Sequence, residues 1–199
     1  MSKIQRSSMS FIALLVVSTF LMAQDRPRVL VVYYSQTGHT HAMAEAVAKG
    51  ARSVKGVEIK LLTTAETTNA DLLAADAIIV GSPVYNANAA PEVVSFISRW
   101  PFEGAPLSGK IGAAFVTGGG ISAGEELAQL SILHSMMIFG MIVVGGSDWT
   151  SPFGASAITV EAPFDSLAGS KIVAPQFLQK GEALGKRVAE VTLRWKQKQ

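Results

Sequence analysis

The feature that most constrains this chain is a set of four short, uncharged, β-rich runs separated by segments of helical period. Residues 29–34, 77–80, 111–116 and 141–144 are almost continuously apolar. A strand with one wet face alternates apolar and polar residues, whereas a strand buried on both faces does not, so these runs fit a parallel sheet covered by helices on both sides. The exception is Val57-Glu58-Ile59-Lys60-Leu61, whose alternation fits an edge strand. Between the runs, Met43, Ala44, Val47, Ala48 and Ala51 define one helix face. Residues 91–100 read as a helix with Pro91 in its first turn. Ser122-Ala123-Gly124-Glu125 has the capping-box pattern before apolar residues 127–139, and Gly140 is placed to end that helix. Leu178, Leu184, Val188 and Val191 mark a C-terminal amphipathic helix. Residues 145–170 show no period and contain Pro152, Gly154, Pro163 and Gly169, so a long loop is expected there. Five strands alternating with helices, joined by right-handed crossovers, predict a parallel sheet in the order 2-1-3-4-5, with the polar second strand at an edge.

The length of 199 residues suits one domain, and 49% apolar against 16% charged residues allows a sizeable core. The N-terminus has its own pattern. Lys3 and Arg6 precede an apolar run over residues 11–22, followed by small Ala23 and then polar residues. This is the layout of a secretory signal, and at about 12 residues the run is too short to span a bilayer. The expectation is therefore an export segment at 1–23, a domain at 24–199, and a periplasmic or secreted location. Cleavage after Ala23 would put bulky Leu21 where a small residue is preferred. The alternative is a cytoplasmic chain starting at Met22. Without Lys3 and Arg6 the rest holds 15 basic and 15 acidic residues. That balance gives no electrostatic footprint for nucleic acid and no acidic docking surface. With no cysteine, disulfides, thiolate catalysis and cysteine-ligated metals are excluded. His39 and His41, two apart, are poorly spaced for a metal on one helix face. No metal and no acid–base dyad is expected. Met136, Met137 and Met141 read as core filler, and Trp149 as either a cover for the site or a packing residue.

Ligands of open parallel sheets bind beyond the carboxyl ends of the strands, where the strand order reverses. Three loops lie there. Ser35-Gln36-Thr37-Gly38-His39-Thr40 follows the first strand and leads into a helix. A helix start with hydroxyl side chains suits a phosphate, although the same residues also serve as simple helix caps. No lysine closes the loop, so it is not a nucleotide-triphosphate P-loop. Gly81-Ser82-Pro83-Val84-Tyr85-Asn86-Ala87-Asn88 follows the third strand and offers a ring and two amides, or an ordinary turn. Thr117-Gly118-Gly119-Gly120-Ile121 follows the fourth, and glycines let a backbone approach a flat ligand. Gly118-x-Gly120-x-x-Ala123 meets a loose dinucleotide fingerprint, but no acid ends the next strand.

Taken in order, Tyr33 to Thr40, Gly81 to Asn88 and Thr117 to Gly120 resemble the flavodoxin family. Within it, they are similar to the WrbA-type NAD(P)H:quinone oxidoreductases. The resemblance runs from about Arg28 to Arg194, and Pro152-Phe153-Gly154-Ala155 is similar to a family segment beyond the fifth strand. It implies a flavodoxin-like three-layer α/β sandwich binding FMN. Ser35, Gln36, Thr37, Gly38, His39 and Thr40 would hold the phosphate. Ser82, Pro83, Val84, Tyr85, Asn86 and Asn88, with Thr117, Gly118, Gly119 and Gly120, would line the isoalloxazine. It further implies NAD(P)H and a quinone as partners, and a homodimer or homotetramer. The chain departs from the WrbA type after its fourth helix: Ile138-Phe139-Gly140 stands where those proteins carry His-His-Gly, and His134 does not match that position. Two other readings remain open at this point, a flavodoxin-type electron carrier and a flavin-free interaction domain.

Overall fold

The computed structural model describes residues 26–167 and 172–198; the expected export segment lies outside them. The elements run β1 (Arg28–Tyr33), α1 (His39–Arg52), β2 (Glu58–Thr63), α2 (Asn69–Ala74), β3 (Ala77–Tyr85) and β4 (Asn88–Ala89). They continue with α3 (Pro91–Ile97), β5 (Ile111–Gly118), α4 (Glu125–Ile138), β6 (Ile142–Val143), β7 (Ala155–Ile158), α5 (Phe164–Leu167) and α6 (Pro175–Lys196). The sheet path is β2-β1-β3-β5-β6, all parallel, with β4 folded back on β3 as a short antiparallel hairpin. In spatial position this is the expected 2-1-3-4-5 order.

The fifth position differs from the expectation. Two short strands share it: β6 pairs with the start of β5 (Ile111 opposite Ile142) and β7 with its end (Phe115 opposite Ala155, Gly118 opposite Ile158). The chain loops out between them over residues 145–154. The expected long loop thus contains a strand, and a short helix after it. Ala155-Ser156-Ala157-Ile158 is only four residues, three of them small, too short for a period to show. Gly154, at φ 129°, admits it to the sheet: a Cβ there would stand 2.0 Å from the Ala114 carbonyl oxygen.

The apolar runs are explained by burial on both faces. From β1, β3 and β5, Leu30, Val32, Ile78, Val80, Ala114 and Val116 meet α3 and α4 through Val93, Phe96, Ile132 and Met136. The alternate residues Val29, Val31, Ile79, Ala113 and Phe115 meet α1 and α6 through Met43, Val47, Leu184 and Val188. Strand β2 lies at the edge with Glu58 and Lys60 exposed. Met136 and Met141 are core residues as expected, but Met137 is exposed.

Helices α1 and α6 touch backbone to backbone. A Cβ on Gly50 would lie 1.8 Å from the Glu182 carbonyl oxygen, and one on Gly185 1.9 Å from that of Val47. Glycine inside a helix costs about 1 kcal/mol relative to alanine. Here that cost is offset by a seam no larger residue could form.

The start of α4 corrects a second expectation. Ser122 does not cap it. The N-cap is Gly124, left-handed at φ 96°, with no side-chain cap, and only half of the capping box forms: Ser122 N–H donates to Glu125 Oε1 at 3.2 Å. Packing decides this, because a Cβ on Gly124 would lie 2.5 Å from Ala87 in the β3–β4 turn. A complete capping box occurs instead at α2, where Thr68 and Asp71 satisfy each other's backbone N–H groups.

Candidate functional site

The three loops singled out above meet at the carboxyl end of the sheet, held by specific bonds. Thr40 and Thr117 share a buried hydroxyl–hydroxyl bond of 2.8 Å, tying the start of α1 to the end of β5. The Tyr85 hydroxyl donates to Gln36 Oε1 at 3.0 Å, tying the β3–β4 hairpin to the first loop. The Ala87–Gly124 contact closes the triangle.

In the first loop, Gly38 is left-handed at φ 93° and its N–H donates to Ser35 Oγ at 3.1 Å. The first helical bond of α1 runs from Ala42 N–H to the Gly38 carbonyl, so the N–H groups of His39, Thr40 and His41 precede it. No acid occupies that turn. Thr37 Oγ1 bonds His39 Nδ1 at 2.8 Å, and His41 Nδ1 bonds the Tyr33 hydroxyl at 2.7 Å. Ile172 reaches over the loop, 3.0 Å from where a Gly38 Cβ would be.

The hairpin is shaped from beneath by Ser82. Its fully buried hydroxyl donates to the Pro83 carbonyl and accepts from Ala90 N–H, both at 2.8 Å. Ser82 thus serves the loop's shape, with its hydroxyl turned inward; Pro83 is buried as well. Asn86 and Ala87 both adopt positive φ (50° and 62°), as a two-residue hairpin turn requires; asparagine suits that conformation, whereas alanine is strained in it. Asn88 Nδ2 donates to the Asn86 carbonyl at 2.8 Å. Val84, Tyr85, Asn86 and Asn88, with Ala89 and Pro91, line an open cavity of about 690 Å³ whose lining includes no residue of the other two loops. Burial, and secondarily Glu92, pushes the Tyr85 phenol above its ordinary range; Tyr34 is raised chiefly by its hydrogen bond to Glu92. Both phenols therefore stay protonated as donors at neutral pH.

The glycine loop leaves room over two of its three glycines. A Cβ on Gly118 would meet only ordinary contacts, and one on Gly119 only Val160 at 4.0 Å. Exposed Ile121 and Val160 give the loop an apolar rim. Sequence reasoning missed Glu161: its Oε2 accepts the Ile121 N–H at 2.7 Å. A lone acid in a segment without a period carries no signal from sequence. His134 is exposed on α4, and Trp149, 88% exposed, neither packs nor covers.

The opposite end of the sheet also has a cavity, of about 240 Å³, lined by Arg28, Glu58, Lys60 and Asp71. Its charges are spent on each other in the Arg28–Glu58 and Lys60–Asp71 pairs. Lys60 and the Thr68 bonds hold the Asp71 carboxyl down at about 2. Among the described residues no group of three or more His, Asp or Glu could hold a metal ion.

Comparison with known proteins fits this geometry. Residues 63–156 match the family model described as NADPH-dependent FMN reductase. A NAD(P)H dehydrogenase (quinone) of Afipia carboxidovorans is 32% identical over 192 residues, covering 82% of this chain and 96% of that protein. The chain belongs to the flavodoxin-like NAD(P)H dehydrogenase (quinone) family. A flavodoxin of Aquifex aeolicus is 39% identical over 127 residues, 61% of this chain and 66% of that protein. A flavodoxin, WrbA-like protein from Agrobacterium tumefaciens shares the fold at TM-score 0.59 and 24% identity, over 84% of this chain and 98% of that one. Against family members of the WrbA type, the missing His-His-Gly is local, since α4 ends normally at Phe139 and left-handed Gly140.

Proposed function

We propose that this chain is an FMN-dependent oxidoreductase that passes two electrons from NAD(P)H to a quinone. The observation that carries this is the joining of three loops at one end of the sheet: a helix start with unspent N–H groups, a tyrosine-bearing hairpin and an open glycine loop. The residues fit FMN. The N–H groups of His39, Thr40 and His41, with the hydroxyls of Ser35 and Thr37, are the donor set a terminal phosphate needs, and no acid opposes it. Val84 and Tyr85 of the hairpin, with Gly118 beside Val84 and Gly119 next to it, offer a flat ring an apolar face and backbone approach. When bound, FMN supplies the hydride chemistry itself; the protein binds it, orients it and tunes its electronics. Tyr85 orients the first loop through Gln36, and Thr40–Thr117 fixes the distance between the phosphate loop and the ring walls.

A flavodoxin-type carrier is the second reading, favoured by the identity to the Aquifex flavodoxin. Carriers steered by charge are usually strongly acidic overall, whereas residues 24–199 hold 15 acids and 15 bases. Export behind residues 1–23 is part of the proposal and sets which donor the protein meets. Anaerobic turnover of the FMN-loaded protein with NADH or NADPH and a soluble quinone decides between the two readings. Quinone-dependent NAD(P)H consumption supports the enzyme; reduction only by a protein reductase supports the carrier.

A further inference from the structure

We infer that Glu161 is the positioning residue of the glycine loop: it braces the turn from Gly119 to Ile121, and its charge weakens binding of reduced relative to oxidised flavin. The inference rests on the FMN reading of the site.

The brace is visible in the bonds. As the chain leaves β7, Thr159 N–H donates to the Gly118 carbonyl at 3.0 Å, and Val160 and Glu161 N–H both donate to that of Gly119, at 3.1 and 2.9 Å. The Glu161 side chain then turns back and accepts from Ile121 N–H at 2.7 Å. One residue so holds the loop at two points two residues apart, the second through a charge-assisted bond, the stronger kind. Gly120 belongs to this arrangement and not to the open wall: a Cβ there would lie 2.7 Å from Glu161 Oε2. Two of the three glycines face open space; the third makes room for the carboxylate.

The charge follows from what surrounds it. Ser122 N–H, next along the loop, is also taken by a carboxylate, that of Glu125, whose Oε2 is buried beside Gly118 without a hydrogen-bond partner. Two carboxylates, those of Glu161 and Glu125, therefore stand at this wall of the site. Oxidised FMN takes up two electrons and one proton to give the reduced ring, which holds one more negative charge near neutral pH. A fixed carboxylate held against the loop opposes that added charge.

The test compares the wild-type protein with Glu161→Gln, Glu161→Asp and Glu161→Ala, each checked for folding by circular dichroism. The dissociation constants of oxidised and dithionite-reduced FMN and the two-electron midpoint potential are measured. Glutamine keeps an acceptor for Ile121 N–H and loses the charge. E161Q is expected to hold oxidised FMN within about twofold of wild type, while its preference for the reduced form rises on the order of tenfold, raising the potential. Aspartate keeps the charge but not the reach, so E161D is expected to bind both forms more weakly with the potential near wild type. E161A is expected to show both changes. An unchanged ratio of affinities in E161Q, with the wild type binding FMN normally, overturns this inference alone. A wild-type protein that binds no FMN overturns the FMN reading with it.

Discussion

Glycine serves two regions of this molecule in opposite ways. At the α1–α6 seam, Gly50 and Gly185 are filled space: a single carbon added to either would sit within 2 Å of a backbone oxygen of the facing helix. Where β5 runs into the glycine loop, Gly118 and Gly119 are empty space, with nothing closer than 3.7 Å to an added carbon. The first pair sets how close two layers of the fold can come. The second leaves a wall to which something else can come close. Identical residues thus mark stability in one place and binding in the other, and only the neighbours tell them apart.

The largest test of that contrast is Gly185→Val. Two backbones would have to part, and overpacking of this kind costs about 3 kcal/mol. For a domain of this size that lowers Tm by roughly 10 °C, read by thermal denaturation; a Tm within a degree of wild type would break the comparison on its structural side. Gly119→Val is the counterpart. It is expected to leave Tm unchanged, because the added carbons face solvent, and to weaken FMN binding on the order of tenfold, read by flavin titration. Unaltered FMN affinity would break the comparison on its functional side.

A smaller effect sharpens it at the point where fold and site join. Thr40→Val strands the buried Thr117 hydroxyl and is expected to cost about 1–2 kcal/mol, measured by urea unfolding. The double change to valine at both positions should recover most of that loss, since no polar group is then left unpaired. The smallest effect belongs to the far end of the sheet. Asp71 is held at about 2, below its ordinary 3.8, first by Lys60 and then by Thr68. A carboxyl lowered on folding adds stability that is present above its unfolded value and is lost as pH falls through the folded one. Between pH 4 and 2 the wild type should therefore lose more stability than Asp71→Asn, with FMN affinity at neutral pH equal in the two.

Much of this was legible in the sequence, for reasons the structure makes plain. Strands β1, β3 and β5 are buried on both faces, so burial wrote itself into unbroken apolar runs, and wet-faced β2 into alternation. That the three loops meet at one end of the sheet was legible because they follow those strands directly. Strand β7 was hidden because four residues, three of them small, carry no period. The cap of α4 was misread because the packing of Gly124 on Ala87, a contact 37 residues apart in sequence, overrode a local pattern. Ser82 read as a ligand contact from its place in a motif, yet its hydroxyl is spent inside the hairpin. Glu161 had no pattern at all; its role exists only once β7 brings it to the glycine loop.

The central claim is that the three joined loops form an FMN site. The most direct test is the visible absorption spectrum of the purified protein after incubation with FMN and desalting. Retained flavin bands, displaced from those of free FMN, are the predicted result. A colourless protein that is folded by circular dichroism would contradict the account.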